Sequence, residues 1–396
     1  MTKRLPIDMD YVVDLLLHLL RTPSPSGRTD EIMRFLGREI EELGLPFELT
    51  RRGSLAAQLH GEEYKAARAV VVHADTIGCM VKRLKPNGRL QVVPVGTFSS
   101  RFAEGARVTV FTDDKTRTYT GTALPLKASG HTYGHEVDLQ KTSWEQVEVR
   151  VDEFVDSADG LAELGIAVGD FVALDAYPQI TEAGYVKSRH LDDKAGVAAV
   201  LGGLKALREH DIVPPVTLHL LITIAEEVGQ GASHGLHEDV AEMVSVDNAV
   251  IAPEQLSDER SVNVAMMDST GPFDYHLTRK LLRIAEALEI PARRDVFNYY
   301  RSDIAAAIEA GAETRAALIG FGVDASHGHE RTHLDGLRHI AELVAAYAQE
   351  PLTFRWDDAP RGPLSDFPKA NQVAPESLAP YSVATEQLAE EAPHDE

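Results

Sequence analysis

Glu226 and Glu227 stand side by side where the apolar run Leu220-Leu221-Ile222-Thr223-Ile224-Ala225 stops, and Gly229 and Gly231 follow them. A β-branched run that ends in acids and glycines reads as a buried strand opening into a loop. In open α/β sheets, sites lie beyond the carboxyl ends of the strands. Adjacent side chains point in different directions, so one acid can bind a metal while the other takes a proton from water. A second chemical signal follows the short strand Ala69-Val70-Val71-Val72. It is His73-Ala74-Asp75, an imidazole two residues before a carboxylate that can fix its tautomer and orientation. Asp192 and Asp193 begin a helix, where the helix dipole alone would explain them. His327 lies in the loop Ser326-His327-Gly328-His329-Glu330-Arg331-Thr332-His333.

Together, His73, Asp75, Asp192, Glu226, Glu227, Glu254 and His327 fall at strand ends or loops flanking one α/β domain. Histidines and carboxylates without cysteine favour Zn, Mn or Co bound through nitrogen and oxygen. One bridging Asp, with a His and a carboxylate on either side, makes a two-metal site with metals about 3.5–4 Å apart. His131 and His135, four residues apart in a Gly/Ser/Thr-rich loop, read as surface histidines.

The elements that must position these residues are legible as alternating helices and strands. Helical spacing predicts a helix over 8–21 and a second from Thr29 to Leu43. Later helices are expected from Asp192 to about Arg208, Tyr275 to Leu288, Ile304 to Glu309 and Leu334 to Ala348. Strands are expected at Val216 to Ile224, Asn248 to Ala252 and Ala316 to Ile319. From 78 to 180 the pattern changes to short alternating runs separated by turn residues, with no long helix beyond Ser157 to Leu164. That reads as an inserted β-rich domain of the barrel or sandwich kind. The catalytic domain is then discontinuous, 1–77 and 181–355. Residues 357–396 hold nine acids against Arg361 and Lys369, with six prolines, and 356–396 reads as a disordered acidic tail.

Composition removes several function classes. A formal net charge of −23 argues against nucleic acid and anionic membranes as partners. Cys79 is the lone cysteine, so neither an internal disulfide nor a thiolate-built zinc site can form. No apolar run has the length of a signal peptide core or a membrane span, and a cytoplasmic location is the expectation.

The ordered motifs resemble those of co-catalytic metallopeptidases, above all the M42 aminopeptidases. The matching stretches are His73-Ala74-Asp75-Thr76-Ile77-Gly78, Asp192-Asp193-Lys194-Ala195-Gly196, Glu226-Glu227-Val228-Gly229 and the late His. Val95-Gly96, Leu164 to Asp170 and Ser302 to Ala306 add further likeness, over about residues 10–350. The segment Met267 to Pro272 and the ending Ser326 to His333 resemble the M42-like branch named for the N-acetylglutaminylglutamine amide osmoprotectant system. The resemblance implies a three-layer αβα zinc-peptidase fold and a metal-dependent aminopeptidase of short peptides. It also implies a homo-oligomer whose inserted domain makes subunit contacts. It assigns His73 to the first of two metals, with Asp75 orienting it and Asp192 bridging. It makes Glu226 the base and Glu227 a ligand of the second metal.

Two positions depart from the family pattern. Pro253 stands where an Asp ligand is expected, which leaves Glu254 as the nearest carboxylate, with Asp247 and Asp268 as alternatives. The closing motif offers both His327 and His329, and His327 is preferred because it opens the loop. The alternative reading is an M20-like N-acyl amino-acid deacylase or dipeptidase. Those enzymes share the Asp-x-Lys-Gly and Glu-Glu pattern, but their insertion comes after Glu-Glu rather than after His-x-Asp.

Overall fold

The structure, a computed structural model, describes residues 2–354 and 357. Four strands run parallel, in the order Val216–Thr223, Glu63–His73, Val240–Val250 and Arg315–Val323. Antiparallel strands flank them: Leu55–Leu59 and then Phe47–Leu49 on one side, Val262–Asp268 and then Gly271–Pro272 on the other. Ala292–Val296 adds to Val262–Asp268 and completes a nine-stranded sheet.

Burial on both faces explains the apolar runs within these strands. Val70, Val72, Leu220, Ile222, Val244 and Val246 enter one core, while Ala69, Val71, Leu221, Met243 and Leu318 enter another. Successive side chains point to opposite faces, and both faces are covered. The first core lies under helices Met9–Arg21, Asp30–Glu42, Leu191–Glu209, Tyr275–Ala287 and Leu334–Ala348. The second lies under the short helix Asp303–Glu309 and neighbouring loops. The architecture is a three-layer αβα sandwich with unequal helical layers.

The helix Leu191–Glu209 is apolar on almost every side, as its Ala- and Gly-rich sequence requires of a helix packed all round. It touches Met9–Arg21, Leu334–Ala348 and strand Val240–Val250. Gly203 permits the approach to Leu334–Ala348, since a Cβ there would sit 2.7 Å from the Ala341 carbonyl oxygen. Asp192 lies in the first turn of this segment, so its seating sets a site residue.

Between Gly78 and Leu174, six strands close into a barrel in the order Gly78–Leu84, Arg89–Val95, Val147–Val151, Thr118–Pro125, Arg107–Phe111 and Phe171–Leu174. Its interior is filled by inward-facing residues such as Val81, Leu90, Val92, Val110, Val149 and Val172. The turn to period-two alternation after His73 reflects this barrel.

Some expectations are corrected. The strand expected at Asn248 to Ala252 begins earlier and ends at Val250. Its last residues leave the sheet two positions sooner than sequence suggested, which matters at the site. Glu330–His333, read as part of a loop, is a strand paired with Tyr185–Ser188. Its partner is remote in sequence, and its charged residues hide the strand signal. The acidic tail expected over 356–396 lies outside the described residues, Asp357 apart. Among the described residues no helix is long and apolar enough to cross a membrane.

Gly203→Val is expected to lower stability by about 1–3 kcal/mol, because the added methyls meet backbone rather than a movable side chain. Urea unfolding checks this; an unchanged midpoint would mean the two helices are not in close contact there.

Candidate active site

His73 ends its strand, paired with Thr223 of the neighbouring strand. Its Nδ1 lies 3.0 Å from the Asp75 carbonyl oxygen, and its Nε2 lies 3.0 Å from Asp192 Oδ1. An Nδ1–H donated to that carbonyl leaves Nε2 as the free ligand nitrogen. The Asp75 carboxylate, 3.6 Å from Nδ1, is engaged elsewhere. Its oxygens accept from the backbone N–H groups of Glu226 (3.1 Å) and Glu227 (3.3 Å), and from the Ser26 hydroxyl at 2.5 Å. Asp75 therefore holds the Glu-Glu turn as well as standing beside the imidazole.

Asp192 lies at the centre. Besides the contact to His73, its Oδ2 is 3.3 Å from His327 Nε2 and accepts from Asn248 Nδ2 at 2.6 Å. Glu227 Oε2 is 3.4 Å from the same His327 nitrogen, and Glu226 Oε2 is 3.9 Å from His73 Nε2. Asp193 points its Oδ2 at the His73 N–H, 3.2 Å away. Gly196 is required behind it, because a Cβ there would lie 2.0 Å from Asp193 Oδ1.

Two distant segments lock this arrangement. Glu330 accepts from the N–H groups of Leu191 (2.7 Å), Asp192 (3.2 Å) and His327 (2.8 Å), tying the two loops that carry ligand candidates. The barrel contributes the other lock. His327 Nδ1 lies 2.9 Å from the Thr97 carbonyl oxygen, and the Ile77 N–H donates to Glu227 Oε1 at 3.1 Å. Gly96 has φ +86° and leaves room for Ile77 and the Glu227 backbone. Both histidines thus present Nε2 to the same carboxylate while a backbone carbonyl takes Nδ1.

Burial raises the affinity of Glu226, Glu227 and Asp247 for protons, and neighbouring acids add to it. Glu227 is pushed up to about 8 by burial and the Asp192 charge, and Asp247 is raised by burial and Asp192. Glu226 is raised by burial, with His73 opposing and Asp247 reinforcing. His327 is pushed up to about 11: burial opposes its charge, but the Asp192 hydrogen bond and the Glu227 charge prevail. Burial likewise opposes a charged His73, and its hydrogen bonds with Asp192 and Asp75 outweigh that. Asp192 is lowered because hydrogen bonds with the two histidines overcome burial. The nearby cation Lys194 gives no relief, since its Nζ donates to the Thr22 carbonyl oxygen at 2.7 Å. The pocket holds more carboxylates than imidazoles can neutralise. His73, Asp192 and Asp247 offer ligand atoms within 4.8 Å of one another, and so do Asp192, Glu227 and His327. Two overlapping nitrogen–oxygen sets sharing one Asp, short of positive charge, fit divalent cations.

The fold brings together His73, Asp75, Asp192, Glu226, Glu227 and His327. It does not bring in Glu254, which is exposed at φ +77° beyond the strand. Asp247, within Val240–Val250, lies beside His73 and Asp192 instead, because the strand ends before the chain reaches 254. Asp268 is buried but caps its own turn, accepting from Thr270 N at 2.7 Å. His329, His131 and His135 are exposed and join no ligand group. Sequence reasoning left Glu330, Asn248 and Ser26 unassigned. Glu330 had a signal, as the Glu of the closing motif; Ser26 had none.

A family model for M42 glutamyl aminopeptidases matches residues 53–343. The chain belongs to the M42 aminopeptidase family. A Bacillus subtilis (strain 168) protein named "Putative aminopeptidase YhfE" is 38% identical over 340 residues, covering 86% of this chain and 98% of that one. Among solved structures, a TET aminopeptidase from a marine sediment thaumarchaeote superposes with TM-score 0.79 at 17% identity, over 86% of this chain and 96% of its own. The Pyrococcus horikoshii TET1 peptidase, described as assembling into a tetrahedron or a large octahedral shell, gives 0.75 at 22% identity, over 86% and 99%. These likenesses make the M42 chain an aminopeptidase with the TET fold.

Glu330→Ala strips the acceptor from three backbone N–H groups, and each buried unpaired donor costs about 1–3 kcal/mol. The variant is expected to unfold at clearly lower urea and to lose activity. A wild-type midpoint with wild-type turnover would refute its tethering role.

Proposed function

We propose that this chain removes N-terminal residues from short peptides as a two-metal hydrolase. His73, Asp192 and Asp247 would hold one ion, and Asp192, Glu227 and His327 would hold the other. The observation that carries this reading is Asp192, with Oδ1 3.0 Å from His73 Nε2 and Oδ2 3.3 Å from His327 Nε2. Zinc is the first choice for such donors, with cobalt or manganese also suited. Bound ions would polarise the scissile carbonyl and lower the pKa of water. Glu226, anchored through its N–H to Asp75, takes the proton from water as it adds to the carbonyl carbon. The same carboxyl then passes that proton to the leaving amine nitrogen. Asp192 and Glu227 keep the two imidazoles facing one point. The narrower likeness at 267–272 and 326–333 favours a dipeptide-like substrate. The deacylase and M20-type dipeptidase alternative has no support from the comparisons.

Glu226→Gln is nearly isosteric and leaves the ligand set intact. Turnover of an aminoacyl-p-nitroanilide is expected to fall by about 10²–10⁴ while metal content is kept. In the same assay Asp247→Ala is expected to lose metal and activity, and Glu254→Ala neither. Near-normal turnover in the Glu226 variant would remove it as the base; metal loss in the Glu254 variant alone would restore the original ligand choice.

The same reading includes assembly into a homo-oligomer, with the barrel among the contact surfaces. Light scattering on the full-length protein is expected to give a mass well above one chain of 43.3 kDa. A monomer at micromolar concentration would sink that part of the reading.

A further inference from the structure

Away from the active site the sequence holds a further His-x-Asp, His237-Glu238-Asp239. It precedes strand Val240–Val250 and faces His219, a histidine inside the otherwise apolar strand Val216–Thr223. The Asp239 carboxylate joins the two rings. Its Oδ1 is 3.0 Å from His219 Nε2 and 2.7 Å from His237 Nδ1. The imidazoles stack with centroids 4.8 Å apart and planes 13° from parallel. One nitrogen of each ring and one carboxylate oxygen lie within 4.8 Å of one another.

This group is separate from the active site. Thr223 pairs with His73, and His219 lies four residues earlier on the same strand. At about 3.3 Å per residue, that is roughly 13 Å along the strand. No ligand atom is shared between the two sets.

Access differs across the group. The His219 side chain is 9% exposed and that of His237 57%, so one ligand is rooted in the sheet and one meets solvent. A cavity of about 340 Å³, lined by both histidines with Phe47, Gln58 and Leu221, adjoins them. It gives water room to complete a coordination shell. Without a cation, a single Asp239 oxygen must accept from both rings. Two imidazoles with one carboxylate suit a borderline divalent transition metal, whereas calcium and magnesium prefer all-oxygen sets.

We propose that His219, His237 and Asp239 form an additional binding site for a divalent transition-metal ion of the zinc class. The bound ion ties strand Val216–Thr223 to the loop ahead of Val240–Val250. Those two elements lead to Glu226 and carry Asp247, but the ion itself lies outside the catalytic machinery.

Equilibrium dialysis of the full-length protein against zinc, with metal analysis, tests this on wild type, His237→Ala, Asp239→Asn and Asp192→Ala. Wild type is expected to bind one zinc more than His237→Ala and Asp239→Asn, both of which keep wild-type aminopeptidase turnover. Asp192→Ala is expected to lose active-site zinc and keep the additional one, so failure of the two-metal reading registers separately. Equal zinc in wild type, His237→Ala and Asp239→Asn overturns the proposal. Zinc anomalous scattering from soaked wild-type crystals gives a check without any substitution: a peak between His219, His237 and Asp239 supports the site, and its absence at saturating zinc refutes it.

Discussion

The Asp192 carboxylate, placed between two imidazoles, is the contact on which the rest of the site depends. One oxygen faces His73 and the other faces His327. These histidines come from opposite ends of the chain's catalytic portion. They can meet only if the helix Leu191–Glu209 is seated deep under the sheet. Its small residues serve that end, since bulk at Gly203 would push it away from Leu334–Ala348 and bulk at Gly196 would displace the Asp193 carboxylate. Packing in the core and geometry at the site are therefore one problem.

Negative charge sets the second constraint. Acids gathered at the sheet's carboxyl edge repel one another, and burial makes that costly. The fold offsets this with backbone N–H groups. Asp75 accepts from two and Glu330 from three. Each of these carboxylates anchors a loop that presents ligand candidates. Asp192, Glu227 and Asp247 are still gathered with two imidazoles in one buried pocket, a donor set that suits divalent cations.

The barrel has a task within its own chain. Its Thr97 carbonyl orients His327, and the Ile77 N–H, just before its first strand, holds Glu227. An insertion between His73 and the later motifs thus reaches back over the site it interrupts.

The sequence by itself determined the class of fold and most of the donor set. Apolar strands alternating with helices demand a sheet covered on both faces, and the acids and histidines at their ends mark its edge. His73, Asp192, Glu226, Glu227 and His327 were legible because each closes a strand or opens a loop or helix, where local pattern is strong. Only the tertiary structure shows that Asp247, and not Glu254, lies beside His73 and Asp192. A strand's last paired residue depends on its neighbours in the sheet, and Arg315–Val323 stops pairing with Val240–Val250 before residue 254 is reached. The closing motif marked Glu330, but its tethering of two loops, like the contact of Thr97 with His327, was not legible. Each acts through hydrogen bonds to backbone far away in sequence, and such pairings leave no periodicity for a reader of the chain to find.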